Sequence, residues 1–137
     1  MEELELRLRD EMLRMAIVAM DNAHVPYTPF RVGAAVLGDN GKICPGCNVQ
    51  HVISGMGSCA ERTALCNGIT DGAKSFSAVL VVSQGQDYIF PCGMCRQALF
   101  ELADPTKEDM HVYLTKDRGL DPRLYTLVSL LPNGFRL

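Results

Sequence analysis

Cys59-Ala60-Glu61-Arg62 and, some thirty residues on, Pro91-Cys92-Gly93-Met94-Cys95 hold three cysteines and a glutamate at spacings that suit a metal centre able to do chemistry. Tetrahedral zinc held by three protein ligands keeps its fourth position for water. A carboxylate that is not a ligand can then move protons to and from that water. The chemistry this predicts is hydrolysis. If Cys59 and Cys92 each begin a helix, the positive ends of two helix dipoles converge on one point and favour thiolates there. Three thiolates on a divalent ion leave the centre at a formal −1, which weakens it as a Lewis acid. The helix ends offset that charge, as does Arg62, which is able to donate a hydrogen bond to a cysteine sulfur.

Four of the six cysteines form two C-x-x-C pairs, Cys44/Cys47 and Cys92/Cys95. On spacing alone these pairs also describe a closed four-thiolate zinc ribbon, and so a zinc-stapled binding module without catalysis. That alternative leaves Cys59 and Glu61 without purpose and puts one pair in a hairpin. Otherwise Cys44, Cys47 and Cys66 read as reduced, partly buried small hydrophobes. A thioredoxin-like role fits poorly, because such a pair should open a helix after a strand early in the fold and Cys44/Cys47 lies in an apparent hairpin.

The elements that must position these residues follow from periodicity. Leu8, Met12, Met15, Ala16 and Ala19 recur at helical spacing, predicting an amphipathic helix from Leu4 to about Met20. After the Pro26–Pro29 loop, Arg31–Leu37 reads as a strand, Gly38-Asp39-Asn40-Gly41 as a hairpin turn and Ile43–Val52 as the returning strand. Ser58 stands as a candidate N-cap before a helix that starts at Cys59 and ends near Asn67-Gly68. Phe76–Ser83 carries a continuous apolar run typical of a strand buried on both faces, hence the sheet centre. A polar loop leads on to a helix over Cys92–Ala103. His111–Thr115 and Tyr125–Leu130 read as two more strands. The order implies one α/β domain over residues 1–137, a three-layer α/β/α sandwich around a mixed five-stranded sheet.

A chain of 137 residues with 47% hydrophobic content can bury one real core. No apolar run nears the roughly 18 residues of a membrane span, and the acidic opening of Glu2, Glu3 and Glu5 does not resemble a secretory signal, so a cytoplasmic address is expected. A net charge of −3 argues against holding nucleic acid by its phosphates and favours a small substrate.

Five segments together resemble the small homotetrameric cytidine deaminases over nearly the whole chain. They are Pro26-Tyr27-Thr28-Pro29-Phe30-Arg31-Val32-Gly33-Ala34-Ala35, Gly46-Cys47-Asn48, Cys59-Ala60-Glu61-Arg62-Thr63-Ala64, Pro91-Cys92-Gly93-Met94-Cys95-Arg96-Gln97 and Leu130-Leu131-Pro132-Asn133-Gly134-Phe135. The resemblance implies that Cys59, Cys92 and Cys95 ligate one Zn2+ per subunit and that Glu61 shuttles protons. The reaction is then hydrolytic deamination of cytidine and 2′-deoxycytidine to uridine and 2′-deoxyuridine, a step of pyrimidine salvage. It also implies that Ala60 offers a backbone contact to the base, that Phe30 stacks on it and that Asn48 and residue 50 hold the sugar. Phe135 would reach a neighbouring subunit's pocket in a homotetramer with shared active sites, and Arg96 and Gln97, like Arg62, would support the site from behind.

Departures from the family pattern fall in one place. Gln50 stands where a glutamate is common, keeping an acceptor but losing its charge, so a weaker hold on the sugar is expected. His51 follows, a ligand contact or a structural residue, and Ser54-Gly55 replace a frequent Tyr-Pro. Blasticidin-S deaminases also depart here, making a modified cytosine nucleoside the alternative substrate.

Overall fold

The computed structural model describes residues 4–137, so Glu2 and Glu3 lie outside the described residues. In chain order it holds α1 (Leu6–Asp21), β1 (Val32–Gly38), β2 (Ile43–Cys47), a single 3-10 turn (Ser54–Met56), α2 (Ala60–Thr70), β3 (Phe76–Ser83), α3 (Gly93–Glu101), β4 (His111–Lys116), β5 (Leu120–Thr126) and α4 (Leu127–Leu130). The five strands form one mixed sheet in the order β2-β1-β3-β4-β5. Only β3 and β4 run parallel, because the chain between them crosses over through α3, whereas β1 and β2 meet through a tight turn. That turn is the expected one: Gly41 takes φ 78° and its N–H donates to the Gly38 carbonyl at 3.0 Å.

Alternation along β3 sorts the core into two layers. Ala78, Leu80 and Val82 face α1 through Met12, Ala16 and Met20. Val79 and Val81 face the opposite way, toward Ala60, Ala64 and Leu65 of α2 and Leu99 of α3. The sheet is thus covered on both faces, which is the three-layer α/β/α arrangement expected from the sequence. Among the described residues no helix is long and apolar enough to cross a membrane.

Close approach of α2 to β2 depends on Gly46, where an added Cβ would overlap the backbone of Ala64 and crowd the Ala60 carbonyl. Backbone atoms cannot move aside without displacing the first turn of α2, which follows directly on Cys59. Gly46→Ala is expected to cost about 1–3 kcal/mol, read as a lower midpoint in urea unfolding. An unchanged midpoint would show that α2 shifts freely.

Four local expectations are corrected. Strand β2 ends at Cys47 rather than Val52, because the Asn48 side chain takes over the edge: its Oδ1 accepts the Val32 N–H at 2.9 Å and its Nδ2 donates to the Phe30 carbonyl at 2.8 Å. Ser58 is not the N-cap of α2. Cys59 holds that position with φ −71° and ψ 155°. Gly68 does not end α2; it lies against the Phe76 ring with no room for a side chain, and the helix runs on to Thr70 before Gly72 turns the chain at φ 100°. Finally, β5 lies before Tyr125 for most of its length, and Leu127–Leu130 is helical. A short stretch that mixes apolar and hydroxyl residues, as Tyr125–Leu130 does, fits strand or helix equally well. Here Thr126 decides, since its Oγ1 accepts the Ser129 N–H at 3.2 Å and caps a helical turn that buries Leu127.

Candidate metal centre and active site

Helices α2 and α3 start at the same place. Cys59 and Cys92 are their N-cap residues, and neither uses its side chain to cap the helix. Cys95 lies three residues into the same stretch, fully buried. The three sulfurs lie within 4.8 Å of one another, with Cys59 Sγ and Cys92 Sγ 3.7 Å apart. Sulfurs on a tetrahedral ion with Zn–S bonds of about 2.3 Å are separated by about 3.8 Å, so the donor set suits zinc in chemistry and in size. Among the described residues no other group of three metal-ligating side chains gathers this way.

The electrostatics favour a cation here. Cys59 is pushed down to about 5 by hydrogen bonding from Cys95, with Arg62 and Cys92 adding to it against the opposing cost of burial. Cys95 moves the other way, because it donates to the Cys59 thiolate and is itself buried. A metal ion bound here would displace the thiol protons. Arg62 Nη2 donates to the Gly57 carbonyl at 3.3 Å and reaches Cys59 Sγ at 4.0 Å, as its sequence position suggests.

Glu61, one residue after Cys59, is only 4% exposed. Burial pushes its carboxyl up to about 7, and the neighbouring Cys59 charge pushes the same way. A carboxyl poised near neutrality can both take and return a proton. It lines a cavity of about 680 Å³ whose walls include the buried Ala60 and Glu61 and the exposed Phe30, Val52 and Phe90.

Of the residues singled out in the sequence, Phe30, Asn48, Gln50, His51, Cys59, Ala60, Glu61, Arg62 and Cys92 all line this cavity. Cys95 lies behind it. Arg96 anchors the Cys92 approach by donating from Nε to the Pro91 carbonyl at 2.7 Å and from Nη1 to the Leu130 carbonyl at 2.8 Å. Gln97 holds Phe135 by its backbone, donating to its carbonyl at 3.0 Å and accepting its N–H at 3.3 Å. The Phe135 side chain is 64% exposed and stands outside the cavity.

Ile89 and Phe90 were not singled out from the sequence, yet both line the cavity. Their place directly before Pro91-Cys92 was the available signal. Cys44 and Cys47 sit on β2 and do not join Cys92 and Cys95, which removes the four-thiolate ribbon. Cys44 is buried beside Asp71 and Cys47 half-buried, while Cys66 is exposed rather than partly buried, because it faces away from the sheet on α2.

Gln50 differs from expectation. Its Oε1 is not free as an acceptor: it takes the N–H groups of Tyr27 and Thr28, each at 3.2 Å, while Nε2 donates to Thr28 Oγ1 at 2.6 Å. The Tyr27-Thr28 backbone folds back over the end of β2 and claims the oxygen.

Residues 7–108 match the family described as the cytidine and deoxycytidylate deaminase zinc-binding region. The chain is 42% identical over 117 residues to a cytidine deaminase of Sporosarcina psychrophila, covering 85% of this chain and 83% of that one. It is 38% identical to one from Halalkalibacterium halodurans, with 93% of each chain covered. The crystal structure of a cytidine deaminase from Burkholderia pseudomallei superimposes with a TM-score of 0.82 at 38% identity, covering 92% of this chain and 98% of that one. The chain belongs to the zinc-binding cytidine and deoxycytidylate deaminase family.

Proposed function

We propose that this chain hydrolyses cytidine and 2′-deoxycytidine to the corresponding uridines and ammonia. The observation that carries this reading is a buried glutamate next to a three-sulfur centre, lining a cavity large enough for a nucleoside. Cys59, Cys92 and Cys95 hold the zinc, which when bound supplies a Lewis acid that activates water at neutral pH. Glu61 takes a proton from the water that adds to C4 and passes it to ring N3. It then takes the remaining proton from the hydroxyl added at C4 and gives it to the amino group, so that the C4–N bond breaks, ammonia leaves and the hydroxyl oxygen becomes the carbonyl of the uracil ring. Ala60 meets the base through its backbone and Phe30 covers a ring face. Arg62 offsets the charge of the sulfur set, while Arg96 and Gln97 hold the loop before Cys92 and the segment at Phe135.

Residues 1–137 act as one domain in the cytoplasm, in pyrimidine salvage. The exposed Phe135, tied to Gln97 away from its own cavity, supports a homotetramer in which it completes a neighbour's pocket. An absorbance screen of cytidine, 2′-deoxycytidine, cytosine and modified cytosine nucleosides tests the reading. Turnover of the first two is expected; turnover of modified nucleosides alone would replace them with that substrate class.

Gln50→Glu is expected to lower KM for cytidine by roughly three- to tenfold. A carboxylate can accept from the Tyr27-Thr28 backbone with one oxygen and from a sugar hydroxyl with the other, and a charged acceptor forms the stronger bond. An unchanged or higher KM would separate residue 50 from the sugar.

A further inference from the structure

The connection from β3 to α3, Gln84 to Cys92, contains neither helix nor strand, yet it carries a wall of the cavity and one sulfur of the three-cysteine group. The β4–β5 hairpin holds it. Near its start the Asp117 N–H donates to the Gly85 carbonyl at 2.7 Å and the Arg118 N–H to the Ser83 carbonyl at 3.0 Å. At its end Arg96 binds the Pro91 carbonyl from the side of α3. Between those points Tyr88 and Phe90 tie it to the hairpin. The Tyr88 hydroxyl has one hydrogen to give and meets both the carbonyl and the carboxylate of Asp121, at 2.7 and 2.8 Å. Asp121 stands at φ 51°, a backbone region that residues with a side chain rarely enter. Arg123 Cζ lies over the Tyr88 ring at 4.3 Å from its centre, and Lys116 Nζ at 5.4 Å, so two cations are attracted to one aromatic face system. Phe90 meets Tyr125 edge to face, with ring centres 5.1 Å apart.

Tyr88 does not line the cavity, whereas the next two residues, Ile89 and Phe90, do. Asp121 and Arg123 of β5 and Lys116 of β4 thus grip the chain one residue before that wall, and Tyr125 of β5 backs the wall itself. We propose that Tyr88 is a positioning residue for the deamination: through it the β4–β5 hairpin sets the place of the Ile89-Phe90 wall, and with it how tightly a nucleoside is held. The inference rests on the cytidine reading above. The metal centre is held apart from this grip. Arg96 anchors the approach to Cys92 from α3, and Cys59 and Glu61 stand at the start of α2. A wall that meets substrate and transition state alike contributes uniform binding, and its loosening raises KM while leaving kcat in place.

The test measures kcat and KM for cytidine in zinc-loaded Tyr88→Leu, Tyr88→Phe and Arg123→Gln, and Kd for cytidine by calorimetry in a Glu61→Gln background, where turnover does not deplete the ligand. Tyr88→Leu removes ring and hydroxyl together and is expected to raise KM and Kd about tenfold, with kcat within about twofold of wild type and zinc content unchanged. Tyr88→Phe keeps the ring under the two cations and is expected to recover part of that loss. Arg123→Gln alters an exposed side chain and is expected to raise KM about threefold, yet to add nothing to Tyr88→Leu, because both act through the same ring. A Tyr88→Leu protein that melts at lower temperature but binds cytidine as wild type does makes the contact structural only and overturns the proposal. A loss of zinc, or a fall in kcat as large as the rise in KM, overturns it too. Where Tyr88→Leu does not fold, Arg123→Gln decides, and an unchanged KM there overturns the proposal. A wild type that neither binds nor turns over cytidine overturns the cytidine reading instead, a result distinct from these.

Discussion

Replacing Glu61 by glutamine is expected to lower kcat for cytidine by about 10²–10⁴-fold or more while leaving the fold and the zinc content unchanged. The side chain is 4% exposed, and glutamine has nearly its shape, so packing at the start of α2 survives. What is lost is a group that cycles a proton. Burial holds the Glu61 carboxyl at about 7, so in wild type the base form is present above neutral pH and is lost below it; kcat/KM is expected to fall on the acid side for that reason. Zinc content by atomic absorption and the far-ultraviolet circular dichroism spectrum distinguish the expected result from simple misfolding. Appreciable residual turnover in a zinc-loaded Glu61→Gln protein would remove Glu61 from the proton path.

The second large effect is on the metal. Cys59→Ala is expected to weaken zinc binding by more than about 100-fold, because changes merely behind the ligands already cost 10–100-fold. Cys44→Ala is expected to retain full zinc stoichiometry, since Cys44 is on β2, buried beside Asp71 and outside the three-sulfur group. The pair of variants compares two cysteines of like chemistry at different places in the fold. Equal zinc content in both, or loss only in Cys44→Ala, would contradict the assignment of Cys59 as a ligand.

Much of the site was legible because its chemistry is local. Cys59, Glu61, Cys92 and Cys95 stand out by residue type, and each is one to three residues from a helix start, where backbone N–H groups point outward whatever the rest of the fold does. The central strand was equally plain, since a continuous apolar run such as Ala78–Val82 has one stable environment, a sheet covered on both faces. The errors fall where a residue's role depends on a distant partner. Gly68 reads as a helix stop until the Phe76 ring is seen against it, and Leu127–Leu130 reads as strand until Thr126 caps a turn there.

Chain order and side-chain type were thus sufficient to pick out the three cysteines that gather, the buried glutamate beside them, the mixed sheet and the family. Only the tertiary structure decided which atoms of those side chains remain free to meet a ligand. Gln50 offers an acceptor when read as a residue and only a donor once Tyr27 and Thr28, more than twenty residues earlier, close over it. A hydrogen-bonding atom has a fixed number of places, and long-range folding, which sequence spacing does not encode, fills them first.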